Sequence, residues 1–187
     1  MRVIGGKFRS RPLRSLAGLD VRPTSDRLRE TLFDVLTAGN PQALEGSVWL
    51  DLFAGTGAVG IEALSRGAGF VYFVECSRKA VEVIRQNLQL LGVHEGFEVL
   101  QKENAKAIAQ LGQQNVNPDF IFFDPPYRLE EAYRETLDFL GGSNLAERAT
   151  VIAEHEKHFD PGAKFGSLER SRQLQQGDAV LSFYRWR

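Results

Sequence analysis

The pattern of apolar and polar positions changes character once along the chain, near Ser47. Ahead of it, Leu28, Leu32, Val35 and Leu36 recur at helical spacing and share one face. Thr24 or Ser25 can cap that helix, and Gly39, Asn40 and Pro41 end it. Beyond Ser47, short apolar runs alternate with amphipathic ones. Residues 48–53 read as a buried strand, 58–66 as a helix and 70–75 as a second strand. Ala80, Val81, Ile84, Leu88 and Leu91 mark a further helix, with Gly92 placed to stop it in the left-handed conformation. Strands are predicted at 97–101, 120–124 and 150–153, and a helix over 129–140.

Strands alternating with helices imply right-handed crossovers and an α/β fold, a mostly parallel, doubly wound sheet covered on both faces. Such sheets bind ligands beyond the carboxyl ends of their strands, near the switch in strand order. The tail is different. Residues 165–172 and 179–186, separated by Gln-Gln-Gly-Asp, predict a C-terminal antiparallel strand pair closing the sheet edge. At the other end, Val3, Ile4 and Phe8 flank Gly5-Gly6, which predicts a small N-terminal hairpin carrying Lys7, Arg9 and Arg11.

Length and composition narrow this to one domain. A chain of 187 residues, 43% hydrophobic with seven prolines, can bury one sizeable core but is short for two. The expected division is a basic hairpin or arm over 1–22, a helix over 23–40 and a core over 47–187. Charges and glycines stand near the amino terminus where a signal peptide needs an apolar run, and no long apolar stretch follows, so a soluble, cytoplasmic protein without a membrane partner is expected. A single cysteine, Cys76, excludes an internal disulfide and a cysteine-cluster metal site. The net charge of −1 says little, but the first 30 residues carry eight basic against three acidic side chains. A basic arm on a mildly acidic body suits a protein that grips nucleic acid locally, or it is a solvated terminal segment.

The candidate chemistry lies in two places. Gly55, Gly57 and Gly60 follow the first predicted strand with the spacing of a dinucleotide fingerprint, and Glu75 stands where an acid would take ribose hydroxyls. A nicotinamide or flavin enzyme therefore competes with any other nucleotide-cofactor reading. Asp51 favours a different cofactor: a carboxylate ahead of the loop repels a pyrophosphate but accepts from an α-ammonium group, which points to S-adenosylmethionine. The second place is Asp124-Pro125-Pro126-Tyr127, after a later strand. An exocyclic amine on a nucleobase is a weak nucleophile, because its lone pair is delocalised into the ring. Acceptors aimed at its two protons favour the reactive geometry, and the Asp124 carboxylate and the Pro125 carbonyl can supply them. Tyr127 can stack on a base drawn out of its helix, a contact worth roughly 1 to 3 kcal/mol. The plainer alternative is a proline-bearing turn.

Other residues carry less. Glu154, His155, Glu156 and His158 could be misread as metal ligands, but alternating directions on a strand end and no third site argue against that, so no metal is expected. His94 reads as a loop residue, Trp49 as core, Trp186 as packing of the last strand and Cys76 as a small buried residue beside the cofactor pocket.

The blocks IGGKFRSRPL, RPTSDRLRETLFDVL, LDLFAGTGAVGIEALSRGA, VECSRKAVEVIRQNLQLLG and FIFFDPPY together resemble the RsmD-type family of methyltransferases, which modify guanine N2 in 16S ribosomal RNA of the small subunit. The resemblance covers most of the chain. It implies a class I, Rossmann-like methyltransferase fold, S-adenosylmethionine as methyl donor, and ribosomal RNA or an assembling small subunit as partner of an expected monomer. It places Asp51, Phe53, Ala54, Gly55, Gly57, Glu75, Cys76, Asn104 and Ala105 around the cofactor and residues 124–127 around the target amine, with Lys7, Arg9, Arg11, Arg14 and Arg22 on phosphates. Asn104 departs from the family pattern, where an aspartate usually contacts the adenine ring. Because Asn both accepts and donates, tuned rather than lost cofactor binding is expected. An adenine N6 methyltransferase stays open, since Asp-Pro-Pro-Tyr does not identify the ring, as does a non-catalytic RNA-binding module.

Overall fold

The computed structural model describes residues 1–16, 25–126 and 129–187. Helix α1 (Asp26–Thr37) is followed by β1 (Val48–Leu52), α2 (Ala58–Ser65), β2 (Phe70–Val74), α3 (Arg78–Leu91), β3 (Phe97–Leu100), α4 (Asn104–Gln113), β4 (Phe120–Phe123), α5 (Glu130–Gly141), β5 (Thr150–Glu156), β6 (Lys164–Phe165), β7 (Leu168–Gln176) and β8 (Ala179–Trp186). The strands form one sheet in the order β3-β2-β1-β4-β5-β8-β7-β6. The first five run parallel, and β8, β7 and β6 extend the edge antiparallel.

Alternation along each strand sorts side chains onto two faces. Trp49, Phe120 and Phe122 join Leu28, Leu32, Ile61 and Ile84 under α1, α2 and α3. Leu50, Leu52, Ile121 and Phe123 join Ala107, Leu111, Tyr133 and Leu137 under α4 and α5. The central strands are therefore apolar on both sides, as a covered parallel sheet requires. Trp49 has no exposed surface and stacks between Phe33 and Phe120, at centroid distances of 5.3 and 4.7 Å. Trp186 packs, partly buried, on the α5 side.

The caps agree with the pattern. The Ser25 hydroxyl accepts from the Leu28 N–H at 3.2 Å, and Gly92 closes α3 in the left-handed region at φ 72°. Thr24 lies outside the described residues. Elsewhere the structure departs from expectation. Helix α4 does not follow from the pattern, because its buried stripe is only Ala107, Ile108 and Leu111, too narrow for a clear helical period. The tail has a third strand, β6, and it is the last strand, β8, that enters beside β5. Instead of a tight hairpin, Gly6–Phe8 forms a single 3-10 turn, and the flanking segments meet at one antiparallel bridge, Arg2 with Pro12. The turn is longer because both Gly6 and Ser10 take positive φ, at 72° and 66°.

Among the fingerprint glycines, Gly60 sets the distance between α2 and the sheet. A Cβ there would lie 2.4 Å from the Phe73 ring and 2.8 Å from Val71, far inside van der Waals contact. Substituting Gly60→Ala should lower stability by about 1 to 3 kcal/mol through overpacking, read as a lower urea midpoint at unchanged slope. An unchanged midpoint would show that the interface yields freely.

Candidate active site

The switch in strand order lies between β1 and β4. Leu52 pairs with Val74 on one side and Phe123 on the other, so Glu75, Phe53 and Asp124 leave three adjacent strands in a row. Neighbouring strands are spaced by about 4.8 Å, which brings the glycine loop and the Asp-Pro-Pro turn to one crevice.

The loop after β1 is bent by three positive φ angles, at Phe53 (56°), Gly55 (55°) and Gly57 (76°). Phe53 is the strained one, since a bulky side chain disfavours that region. Its neighbours hold it in place. The Phe53 N–H donates to Asn104 Oδ1 at 3.3 Å, Ala54 N–H to the Val74 carbonyl at 3.0 Å, and Gly57 N–H to the Ala54 carbonyl at 2.7 Å. Glu75 braces the loop from β2: one carboxylate oxygen accepts from Gly55 N–H at 2.9 Å and the other from Ser77 N–H, ahead of α3, at 2.8 Å.

Asp51, expected at the mouth of the site, is only 2% exposed and accepts from the Gly60 N–H in α2 at 2.9 Å. Burial pushes its pKa up to about 8, the Gly60 bond opposes that, and the nearby Glu75 carboxylate adds to it. A carboxyl so placed is largely protonated at neutral pH, and a cation brought to it would favour its ionised form. Ala54 is buried, Asn104 half-buried and Ala105 exposed on the first turn of α4. Cys76 corrects an expectation, since it is exposed rather than buried. It follows β2 on the turn into α3, outside the packed faces. Partial desolvation and then Glu75 push its thiol upward, away from the reactive thiolate.

On the other side of the crevice, Asp124 is half-buried, Pro125 buried and Pro126 exposed. The Pro126 carbonyl accepts from Leu129 N–H at 2.8 Å, which turns the chain into α5. Tyr127 lies outside the described residues. A group that the pattern did not reveal approaches here: the buried Tyr133 hydroxyl lies 2.8 Å from the Glu154 carbonyl and 3.2 Å from that of Pro125. Tyr133 reads in the sequence as one more apolar position of α5.

The basic segment is not a free arm. Val3 and Leu13 are core residues, and the wholly buried carboxylate of Glu62 accepts from the N–H groups of Ile4 and Gly5 at 2.8 and 2.7 Å while pairing with Arg66 Nε at 2.8 Å. Asn87 accepts from Arg14 N–H at 2.7 Å and donates to the Thr56 carbonyl at 3.0 Å, tying the segment to the glycine loop. Glu62 was detectable as a lone acid within the apolar run of α2. Lys7, Arg9, Arg11 and Arg14 are exposed, but Arg11 also bonds the Leu90 carbonyl at 2.9 Å and Arg14 bonds Gln86 at 3.0 Å. Arg22 lies outside the described residues.

The Glu154–His158 cluster disperses. His155 is buried, with Nδ1 2.9 Å from the Glu156 carbonyl and Nε2 2.8 Å from the Ser182 hydroxyl, whereas Glu156 and His158 face solvent. A carbonyl only accepts, so Nδ1 carries the proton and Nε2 accepts from Ser182. Burial holds the His155 pKa below its ordinary value, consistent with a neutral structural ring. His94 lies exposed in the loop after α3.

The family model described as "Conserved hypothetical protein 95" matches residues 1–185. The chain belongs to this family, the RsmD-type methyltransferases. An RsmD-type relative, "Ribosomal RNA small subunit methyltransferase D" of Escherichia coli K12, is 36% identical over 157 residues, covering 83% of this chain and 75% of that protein. Its namesake in Haemophilus influenzae is 35% identical over 159 residues, 84% of this chain and 79% of that protein. The solved structure of yhhF from Escherichia coli, provisionally named a methyltransferase, superposes with a TM-score of 0.83 at 29% identity over 100% of this chain and 97% of that one. The architecture is the class I methyltransferase fold.

The docking of the RsmD-type amino-terminal segment on Glu62 has a testable cost. Replacing one partner of a buried charged pair is worth about 3 to 5 kcal/mol, so Glu62→Gln should lower the thermal midpoint and expose residues 1–16 to protease ahead of the core. Unchanged protection of that segment would show that Val3 and Leu13 hold it without the carboxylate.

Proposed function

We propose that this protein transfers a methyl group from S-adenosylmethionine to the exocyclic N2 amine of a guanine in 16S ribosomal RNA of the small subunit. The observation that carries the reading is the adjacency of Phe53 and Asp124 at the switch point, which puts a nucleotide-type loop and an amine-orienting turn on one crevice. The residues fit the cofactor. Asp51, buried and short of a counter-charge, suits an α-ammonium group, and Glu75, already oriented by Gly55 and Ser77, retains lone pairs for ribose hydroxyls. Phe53, Ala54 and Gly57 on the glycine loop, with Asn104 bonded to Phe53 N–H and Ala105 beside it, complete the proposed cofactor set. The cofactor supplies an electrophilic methyl on a sulfonium, so the protein's task is orientation more than proton transfer.

For that task Asp124 accepts one amine proton and the Pro125 carbonyl the other, and the rigid Pro-Pro backbone keeps the two acceptors at a fixed spacing. Tyr127 stacks on the extruded base. Lys7, Arg9, Arg11 and Arg14, on a segment locked to α2 and α3, offer phosphate contacts at fixed positions, with Arg22 as a further one. The names of the Escherichia coli and Haemophilus influenzae relatives support the RNA class, and the resemblance of the amino-terminal blocks to the RsmD-type family favours guanine N2 over adenine N6. An RNA substrate suits a cytoplasmic protein, and the proposal takes it to act as a monomer of one domain over 1–187, with no metal in the reaction. Among the described residues no helix is long and apolar enough to cross a membrane.

The deciding experiment is transfer of labelled methyl from S-adenosylmethionine to unmodified small subunits and to naked 16S RNA, with nucleoside analysis. Label in N2-methylguanosine, lost in Asp124→Ala, is expected; label in N6-methyladenosine would overturn the target and keep the chemistry. Asp51 yields a second test. Its pKa in the folded protein, about 8, lies above its ordinary 3.8, so its stabilising share is present at low pH and lost as pH rises through that window. Binding a cation reverses the preference and releases the proton. Affinity for S-adenosylhomocysteine should therefore rise by up to about tenfold per pH unit between pH 5 and 7, with proton release in calorimetry. Asp51→Asn should flatten the profile, and a flat wild-type profile would remove Asp51 from the cofactor site.

A further inference from the structure

At the end of the sheet opposite the cofactor crevice lies a groove of about 440 Å³, between the end of α1 and the strands, and Arg148, Arg172 and Arg185 line it. The register explains the convergence. Arg172 pairs with Phe183 across β7 and β8, and Phe183 lies two residues before Arg185, so both guanidinium groups start from the face covered by α1. Because β8 runs antiparallel to β5, its last residues come alongside Thr150, and Arg148 enters from the turn just before that strand. A register irregularity between Arg170 and Arg172 redirects β7 at this point, as bulges near functional surfaces do.

The three arginines differ from the other cations of the strand region. Arg170 pairs with Asp160, Lys164 with Glu169 and Arg187 with Glu169. The side chains of Arg148, Arg172 and Arg185, all exposed, make no hydrogen bond or ion pair among the described residues. The acid in the groove, Asp119, is turned to β1, where its carboxylate accepts from Val48 N–H at 2.8 Å. Residues 31–187 carry more acidic than basic side chains, so three arginines around one concavity, unpartnered among the described residues, run against the net charge of that part of the chain. Like charges held together cost free energy unless an anion joins them, and guanidinium forks match phosphate oxygens in pairs.

We propose that this groove binds backbone phosphates of the RNA substrate, as a second contact surface separated from the methyl-transfer crevice by the length of β4, roughly 13 Å. The assignment rests on the RNA reading above. It explains how a protein whose amino-terminal arginines are partly committed to α3 can still hold a large RNA. Contact at both ends of the sheet would fix the orientation of the RNA as well as its position, and it carries no base specificity.

The test compares wild type with Arg148→Gln/Arg172→Gln/Arg185→Gln, both loaded with S-adenosylhomocysteine, for binding to unmodified 16S RNA over a salt series. Each lost phosphate contact removes about 0.7 to 0.9 from the slope of log affinity against log salt. The triple variant should therefore lose about 2 to 3 from that slope, with cofactor affinity unchanged. The single variant Arg172→Gln, at an exposed strand position, should lose about a third of this and guards against misfolding of the triple variant. Equal slopes and affinities would overturn the groove while leaving the methyl-transfer reading intact. If inorganic pyrophosphate binds the wild type but not the triple variant while RNA binding is equal, the groove holds a small phosphate ligand and the RNA assignment fails. Wild type that binds no RNA overturns both readings, before any variant is compared.

Discussion

A carboxyl group held out of water at the end of β1 is the constraint around which this molecule is arranged. Asp51 stands in the one strand that neighbours both β2 and β4, so whatever fixes it also fixes the crevice. Its bond to the Gly60 N–H ties the strand to α2 across the loop, and the missing side chain at Gly60 lets α2 lie close enough for that bond. An ordinary aspartate would stay ionised and hydrated. Here burial and the second carboxylate at Glu75 make ionisation costly at neutral pH against the opposing Gly60 bond, and positive charge brought beside it would lower that cost. The same geometry that stores this demand for a cation also holds the loop backbone open, through the left-handed turns at Phe53, Gly55 and Gly57.

A second buried carboxylate, Glu62, plays the opposite part. It is fully satisfied, by two backbone N–H groups of the amino-terminal segment and by Arg66, and it converts a chain end into a fixed wall of the molecule. Asn87 continues the connection from that segment to the Thr56 carbonyl in the glycine loop. The segment carrying the basic side chains and the glycine loop are therefore mechanically joined. The phosphate contacts proposed for Lys7 or Arg9 would be made at a defined distance from the glycine loop, which a flexible arm could not ensure. Exposed cations on a rigid support lose less entropy on binding than cations on a loose tail.

How far this could be read from the chain depends on amplitude and range. The central strands are legible because a sheet buried on both faces writes near-continuous apolar runs such as Phe-Ile-Phe-Phe and, broken only by Asp51, Val-Trp-Leu-Asp-Leu. The glycine loop was legible because positive φ angles and close packing leave few alternatives to glycine. Helix α4 escaped because three small or medium apolar residues make too narrow a stripe, and the insertion of β8 beside β5 escaped because pairing partners far apart in sequence leave no local signal. Cys76 was misjudged for a related reason: burial belongs to where a strand stops, and β2 stops at Val74. Tyr133 hid as an ordinary apolar position of an amphipathic helix, its hydroxyl role visible only once α5 lay against β5.

That hydroxyl bears on how the turn would orient an amine in the proposed reaction. Tyr133 has one hydrogen to give and two carbonyls within reach, and the shorter approach is to Glu154, at 2.8 Å against 3.2 Å for Pro125. The Pro125 carbonyl is thus steadied without being consumed. Were the tyrosine closer to Pro125, it would compete with the incoming amine for the lone pair; were it absent, the buried carbonyl would rely on the proline rings alone for its direction. A shared hydrogen bond weighted toward the strand anchors the turn to β5 and leaves the Pro125 carbonyl a lone pair that Tyr133 does not use. The same turn begins at Asp124, so the two acceptors that the proposed reaction calls on are fixed to one sheet through β4 and through Tyr133.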